Sequence, residues 1–270
     1  MPINENYQPA IERFTGFEKT YDNARPSPPD ELANMLCSIC RSPVPELVVD
    51  LGCGTGLSTR YWSDRASCVI GVEPTESMRR QAEAACQDSK LRYLDRFAHD
   101  TGLVGESADI VVAVQAMHWL EPVSTLAEVA RILRPGGVFA VVDYSWPPTT
   151  PFWEVDLAYL KCHQKSSRLE QLYGVSSRLM RWNKDGHLQR IRESGLFRFS
   201  KECHLHHVEL GGAERIVNLL RSQGHIQSLL KYGLSESDLG ILELSSVANS
   251  AFGNDVLPWH WSAQVYWGVK

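Results

Sequence analysis

The run Leu47-Val-Val-Asp-Leu-Gly-Cys-Gly-Thr-Gly56 limits what this chain can fold into more than any other stretch. Its first half is apolar apart from Asp50, the pattern of a strand buried on both faces. Its second half places glycine at 52, 54 and 56, where the missing Cβ permits positive φ and lets a ligand approach the backbone. A dinucleotide fingerprint would need a glycine or alanine at position 57, where Leu57 stands, so a pyrophosphate cradle is disfavoured. Standing alone, the turn would serve as well for a tight strand-to-helix connection that binds nothing.

It does not stand alone. A second apolar run, Cys68-Val-Ile-Gly-Val72, ends in Glu73, whose carboxylate can accept hydrogen bonds from both hydroxyls of a ribose. Leu91-Arg-Tyr-Leu94 reads as a third strand and Ala108-Asp-Ile-Val-Val-Ala-Val114 as a fourth. Glu121-Pro122 opens a helix that stops at Arg134-Pro-Gly-Gly137, and Val138-Phe-Ala-Val-Val-Asp143 follows as a fifth strand. This ordered series, with Asp50 ahead of a G-x-G-x-G turn, resembles the class I S-adenosylmethionine (SAM)-dependent methyltransferases, of the small-molecule, type 11-like kind, over about residues 28–145.

The resemblance implies a Rossmann-like α/β fold: a seven-stranded, mostly parallel sheet with an antiparallel last strand, helices on both faces, and a helical cap after the fifth strand. It implies four segments: an N-terminal lid (1–27), the SAM-binding core (28–145), a substrate cap (146–200) and C-terminal strands and helices completing the sheet (201–270). The cofactor would be SAM and its product S-adenosylhomocysteine. Asp50, Gly52, Gly54 and Gly56 would line it at the turn, Glu73, Pro74 and Met78 after the second strand, and Gln115 after the fourth. Tyr21-Asp-Asn-Ala-Arg-Pro26 resembles a Y-x-x-x-R-P element that puts Tyr21 and Arg25 near the methionine end; the other reading is a linker with a salt bridge. In the family the turn after the third strand holds adenine. Here Phe97 stands where an Asp is common, so Phe97 would stack on the base, Ala98 would offer its amide, and His99 and Asp100 are the nearby polar groups.

Methyl transfer from a sulfonium is an in-line displacement, so positioning supplies most of the acceleration. A base is needed only where the accepting atom carries a proton. His118, in Gln115-Ala-Met-His-Trp-Leu120, falls where the family places residues between methionine and acceptor, and it is the candidate catalytic base. The plainer reading makes it a helix cap. A SAM-binding protein with a structural or non-transfer role is the alternative function. A nucleic-acid methyltransferase is disfavoured, because Gln115-Ala-Met-His replaces the Asn/Asp-Pro-Pro-Tyr/Phe element expected after the fourth strand.

Composition narrows the partners. A formal charge of -5, from 27 Lys and Arg against 32 Asp and Glu, does not favour a polyanion and leaves a small-molecule substrate as the expectation. No apolar run reaches the roughly 20 residues of a membrane span, and the N-terminal residues lack a signal-peptide pattern, so a cytoplasmic protein without membrane partners is expected. Seven cysteines, an odd number, fit a reducing compartment. Cys37 and Cys40 lie on an amphipathic pattern with Leu32 and Leu36, which reads as helix core rather than a zinc pair; His204 and His206 share one strand face, and no metal is expected. The basic run from Arg178 through Arg181, Lys184, Arg190, Arg192 and Arg198 to Lys201 reads as a solvated helical face, or as an anchor for a carboxylate-bearing substrate or, less favoured, for RNA.

Local patterns complete the expectation. Phe14, Phe17 and Tyr21 share a helical face; Ser27 or Asp30 caps a helix to about Ser42; Thr75 caps one that buries Met78, Ala82 and Ala85. Val123, Leu126, Ala127, Ala130 and Leu133 form a core stripe. A strand over Lys201–Leu210, helices over 212–223 and 235–252, and a strand from Ser262 to Val269 close the chain.

Overall fold

The structure, a computed structural model, describes residues 8–270 apart from 10, 14, 17 and 87. Phe14 and Phe17 therefore lie outside the described residues. The chain divides into two compact units. One takes the N-terminal residues up to Pro26 with Ser145–Met180 and His206–Ser262; the other takes Ser27–Tyr144, Arg181–Leu205 and Ala263–Lys270.

Seven strands form one sheet: β1 (Leu47–Leu51), β2 (Cys68–Val72), β3 (Leu91–Leu94), β4 (Ala108–Val114), β5 (Leu133–Tyr144), β6 (Phe199–Gly211) and β7 (Leu257–Val269), in the order β3-β2-β1-β4-β5-β7-β6. Neighbours among β1 to β5 are parallel, and β7 runs antiparallel to β5, pairing Asp143 with Gln264. This is the mostly parallel sheet the sequence implies. Parallel strands covered on both sides must be apolar throughout, and Val48, Val49, Val111 and Val112 are fully buried. The order reverses between β1 and β4, and ligands of open α/β sheets bind beyond the carboxyl ends of the strands at such a reversal. The glycine turn leaves β1 there, and Gln115 to His118 leave β4 there.

Around the sheet in the same unit lie α2 (Asp30–Ile39), α3 (Leu57–Tyr61), α4 (Glu76–Ala85), α5 (Pro122–Ile132) and α7 (His187–Glu193); α1 (Glu18–Ala24) and α6 (Trp153–Leu172) belong to the other unit. Several details differ from the sequence patterns. Pro29, not Ser27 or Asp30, occupies the N-cap of α2, and the helix stops at Ile39 because Arg41 turns to φ +57° before the prolines. Met78 and Ala82 are buried on α4, whereas Ala85 is exposed. On α5, Val123 and Ala127 face outward and the buried stripe runs through Thr125, Leu126, Glu128 and Val129. A polar anchor rotates it: the Glu128 carboxylate accepts from the Thr101 amide (2.9 Å) and hydroxyl (2.5 Å) and from Arg131. β5 begins at Leu133 rather than Val138, since Leu133 pairs with Ala108 and the Arg134-Pro-Gly-Gly137 segment is accommodated as a register shift. Gly136 takes φ +81° there.

The other unit is mostly helical. α8 (Ala213–Arg221), α9 (Gly224–Tyr232), α10 (Glu236–Leu239) and α11 (Ile241–Phe252) join α1 and α6 there. Its core holds Tyr159, Leu219, Leu229, Phe252, Trp259 and Trp261. α9 was not marked as a separate helix by the sequence pattern, and the expected 235–252 helix is broken at Gly240, which sits at φ +81°. The last strand starts five residues earlier than Ser262 because Trp259 and Trp261 alternate inward along it.

Candidate functional site

Asp50 ends the apolar part of β1 and is fully buried. Its Oδ2 accepts from the Ser58 hydroxyl at 2.5 Å and the Thr59 hydroxyl at 2.7 Å, so it holds the start of α3 against the end of the strand. Burial pushes its carboxyl up to about 6, against the pull of those two hydroxyls. The amides of Gly52 and Cys53 both donate to the Val72 carbonyl, at 2.8 and 3.2 Å, which ties the turn to the end of β2. All three glycines of the turn have positive φ, but they differ in surroundings. A Cβ at Gly52 would stand 2.8 Å from the Ala116 Cβ, and one at Gly56 would stand 2.6 Å from the Tyr93 hydroxyl. A Cβ at Gly54 would meet nothing within 4 Å. Gly52 and Gly56 thus serve close packing of the protein on itself, and Gly54 fronts open space.

Glu73 follows β2 and is only 8% exposed. Its Oε2 accepts from the Gly54 amide at 3.0 Å and its Oε1 from the Thr75 amide at 2.8 Å. Burial raises its pKa, and the bonds from Thr75 and Gly54 and the nearby Arg79 oppose this. Each carboxylate oxygen can accept twice, so a hydroxyl pair can still donate to it. Thr75 stands at the N-cap of α4, yet its side chain makes no capping bond; the turn is held by its amide on Glu73 instead. Pro74 is half-buried beside it and Met78 is buried on the first turn of α4.

After β3 the chain makes a tight turn in which the Asp100 amide donates to the Phe97 carbonyl at 3.0 Å. Phe97 is half-buried and its ring stacks with His99 at 5.6 Å between centroids, 24° apart. Ala98 points into the core of the sheet. The polar side chain of Asp100 is exposed.

β4 is followed by Gln115, a non-glycine residue at φ +54° whose amide donates to the Val142 carbonyl. Positive φ outside glycine is a strained conformation that concentrates at functional sites. His118 follows on a short 3-10 turn, Met117–Trp119, and is 4% exposed. Its Nδ1 lies 3.8 Å from Asp143 Oδ1. Asp143, near the carboxyl end of β5, also meets the Lys184 ammonium at 2.6 Å and His187 Nε2 at 3.5 Å. Lys184 Nζ donates to Gln115 Oε1 at 2.8 Å. Burial pushes His187 down to about 4, with the nearby Asp143 opposing.

Sequence reasoning did not select Asp143, Lys184 or His187. Asp143 carried a signal, a single acid closing an apolar parallel strand at its carboxyl end. Lys184 was read as part of a basic run, and nothing local distinguishes it from its neighbours in that run. Tyr21 and Arg25 lie in the mostly helical unit: the Arg25 guanidinium is 4.6 Å from the Tyr21 ring centroid and 4.7 Å from that of Trp146, and it donates to the Ser222 hydroxyl and carbonyl. His204 and His206 are exposed on one face of β6, and among the described residues no group of three or more His, Cys, Asp or Glu is placed to hold a metal ion.

The residues at the strand ends suit a nucleoside-containing cofactor. The Gly54 turn has open space in front of its backbone, Glu73 presents a carboxylate beside it, and Gln115 Nε2 is buried with no hydrogen-bond partner among the described residues. Residues 49–141 match the family described as "Methyltransferase domain". Among curated proteins, the chain is 31% identical over 164 residues to the Saccharomyces cerevisiae protein CRG1, named as an S-adenosylmethionine-dependent methyltransferase, covering 59% of this chain and 53% of that one. It is 36% identical over 123 residues to the methyltransferase Rv3342 of Mycobacterium tuberculosis, covering 45% and 48%. The chain spans about half the length of the curated relatives it matches. Among solved structures, a candidate type II methyltransferase of Anaeromyxobacter dehalogenans superposes with TM-score 0.64 at 24% identity, over 91% of this chain and 97% of that one. A phosphoethanolamine N-methyltransferase of Haemonchus contortus, in complex with phosphomonomethylethanolamine and S-adenosylhomocysteine, superposes with TM-score 0.53 at 16% identity, over 98% and 58%.

The sheet order, the strand-end turn and the family match define a class I SAM-dependent methyltransferase fold. Residues 49–141 are thus similar to the methyltransferase domain, and the relatives matched over this part of the chain include an S-adenosylmethionine-dependent methyltransferase.

Proposed function

We propose that this protein transfers the methyl group of SAM to a small organic acceptor, with His118 as the general base. The observation that carries this reading is the grouping of His118, Asp143 and Lys184 at the carboxyl ends of β4 and β5, in the same unit as the Gly54 turn and Glu73. When bound, SAM supplies an electrophilic methyl on a positively charged sulfur, which leaves as a neutral thioether. Glu73 would take the ribose hydroxyls, the Gly54 backbone would face the cofactor at close range, and Gln115 would border its methionine part. Phe97, with His99 stacked on it, would cover adenine, and the amide of Ala98 would meet the ring. His118 would receive the acceptor's proton. The formal charge of -5 supports a small acceptor over a nucleic acid, and seven free cysteines support a cytoplasmic setting.

The experiment is release of S-adenosylhomocysteine by the purified chain with labelled SAM, screened over pools of small organic acids, amines and phenols, with duplex DNA and RNA as separate arms. Label appearing in a small-molecule product supports the proposal. Label appearing only in nucleic acid, or SAM binding with no transfer to any pool, would count against it.

A further inference from the structure

Asp143 is a buried carboxylate that follows the apolar run Val138–Val142 of β5, and among the described residues neither of its oxygens has a hydrogen bond of good geometry. It is held by charge alone, from the Lys184 ammonium at 2.6 Å. A buried ion pair contributes little net stability compared with apolar residues of the same volume. Asp143 sits beside His118, and Lys184 is itself clamped by Gln115, the residue at positive φ that follows β4. Two independent features, a strained residue and a weakly bonded buried acid, therefore meet at Lys184, and the acid faces the His118 imidazole.

We propose that Asp143 is the positioning residue for His118, holding its Nδ1 side so that Nε2 receives the acceptor's proton, and that Lys184 sets how strongly Asp143 acts by competing for the same carboxylate. This deepens the reading of His118 as the base and rests on it. In the transfer, the acceptor's X–H bond breaks and its proton goes to His118 Nε2. The electron pair on X forms the bond to the methyl carbon, and the carbon–sulfur bond breaks with its pair passing to sulfur. Asp143 then faces the Nδ1–H of an imidazolium, which its charge stabilises. The 3.8 Å separation is longer than a hydrogen bond, and on this proposal it shortens in the reacting complex, as catalytic contacts do.

The other titratable groups around this imidazole leave Lys184 as the controlling charge. From the segment before α7, Arg181 lies over the Trp119 ring at 4.8 Å, Trp119 lies beside His118, and Asp185 acts on His187. From α7, His187 is neutral near pH 7 because burial holds it at about 4, and Arg190 donates toward its Nδ1 at 3.2 Å. From β7, Tyr266 is pushed up to about 12 by burial and is neutral as well. Among the described residues, Lys184 is the group that touches Asp143 with a full charge.

The test is the imidazole titration of His118, followed by NMR on the full chain with 15N-labelled histidine, its signal assigned by loss in His118→Gln. Asp143→Asn should move the titration to lower pH by about one unit or more, and Lys184→Gln should move it to higher pH, since the carboxylate then serves His118 alone. Lys184→Gln serves if Asp143→Asn does not fold. A His118 titration that Lys184→Gln leaves in place, or moves to lower pH, overturns the inference. The base reading fails separately: wild-type turnover in His118→Ala refutes it whether or not the titrations move.

Discussion

The Gly54 amide donates to Glu73 Oε2 at 3.0 Å, so the acid that ends β2 holds the glycine turn that ends β1. The same carboxylate receives the Thr75 amide, which makes Glu73 a brace between two turns as well as the candidate ribose ligand. Affinity and stability are therefore coupled at this position.

Glu73→Ala is expected to weaken SAM binding by about 1–3 kcal/mol, the scale of a hydrogen bond to a charged group. It should also lower the melting temperature, because the Gly54 and Thr75 amides lose their acceptor. Glu73→Gln, which keeps one carbonyl oxygen, should fall between the two in both. Calorimetry and a thermal melt on the same samples check this. An unchanged dissociation constant in Glu73→Ala would remove it from the cofactor site.

Gly54 and Gly52 separate ligand approach from packing. Gly54→Val has room for its Cβ in the protein itself and should keep a cooperative melt, lowered by about 1–2 kcal/mol for the positive φ, while losing SAM binding. Gly52→Ala presses on Ala116 at 2.8 Å and should cost more stability than Gly54→Val. Retained SAM affinity in Gly54→Val would refute the close approach of cofactor to this backbone.

His118→Ala is expected to leave SAM affinity within a few-fold and to lower turnover by roughly 10²-fold or more, the range of a general base. Asn at the same position should recover part of the shape without the rate. Steady-state assays across pH 6 to 9 decide the matter, and full activity throughout would reduce His118 to a packing residue.

Two buried groups give opposite pH dependences of stability. Asp50 stands at about 6 when folded against 3.8 as an unperturbed carboxylate, so the folded protein binds this proton more tightly and its contribution to stability falls as pH rises between those values. His187 stands at about 4 against 6.5, so the unfolded chain binds that proton more tightly and its contribution rises with pH over the same range. Relative to wild type, Asp50→Asn should therefore gain stability on going from pH 4 to 6.5, and His187→Gln should lose it. Urea midpoints at both pH values measure the difference. The same sign in both variants would contradict the burial of one of them.

What the sequence determined alone is what depends on short-range pattern. A run of four apolar residues around Asp50 makes a strand wherever both faces are covered, and glycines at 52, 54 and 56 make a turn because other residues resist positive φ. The mostly parallel sheet with its antiparallel last strand was implied by the family resemblance those motifs carry, and the order β3-β2-β1-β4-β5-β7-β6 is visible only in the fold. Where amphipathic stripes were used, they erred by a rotation, as at Val123 and Ala127, because a buried carboxylate such as Glu128 is invisible to a hydrophobic pattern until Thr101 is brought to it from elsewhere in the chain. The surroundings of His118 are of the second kind. Asp143 comes from β5 and Lys184 and His187 from a segment some forty residues later, and only the fold brings those two to the one carboxylate that faces His118. Their charges matter through distance and burial, and neither quantity is written in local order along the chain.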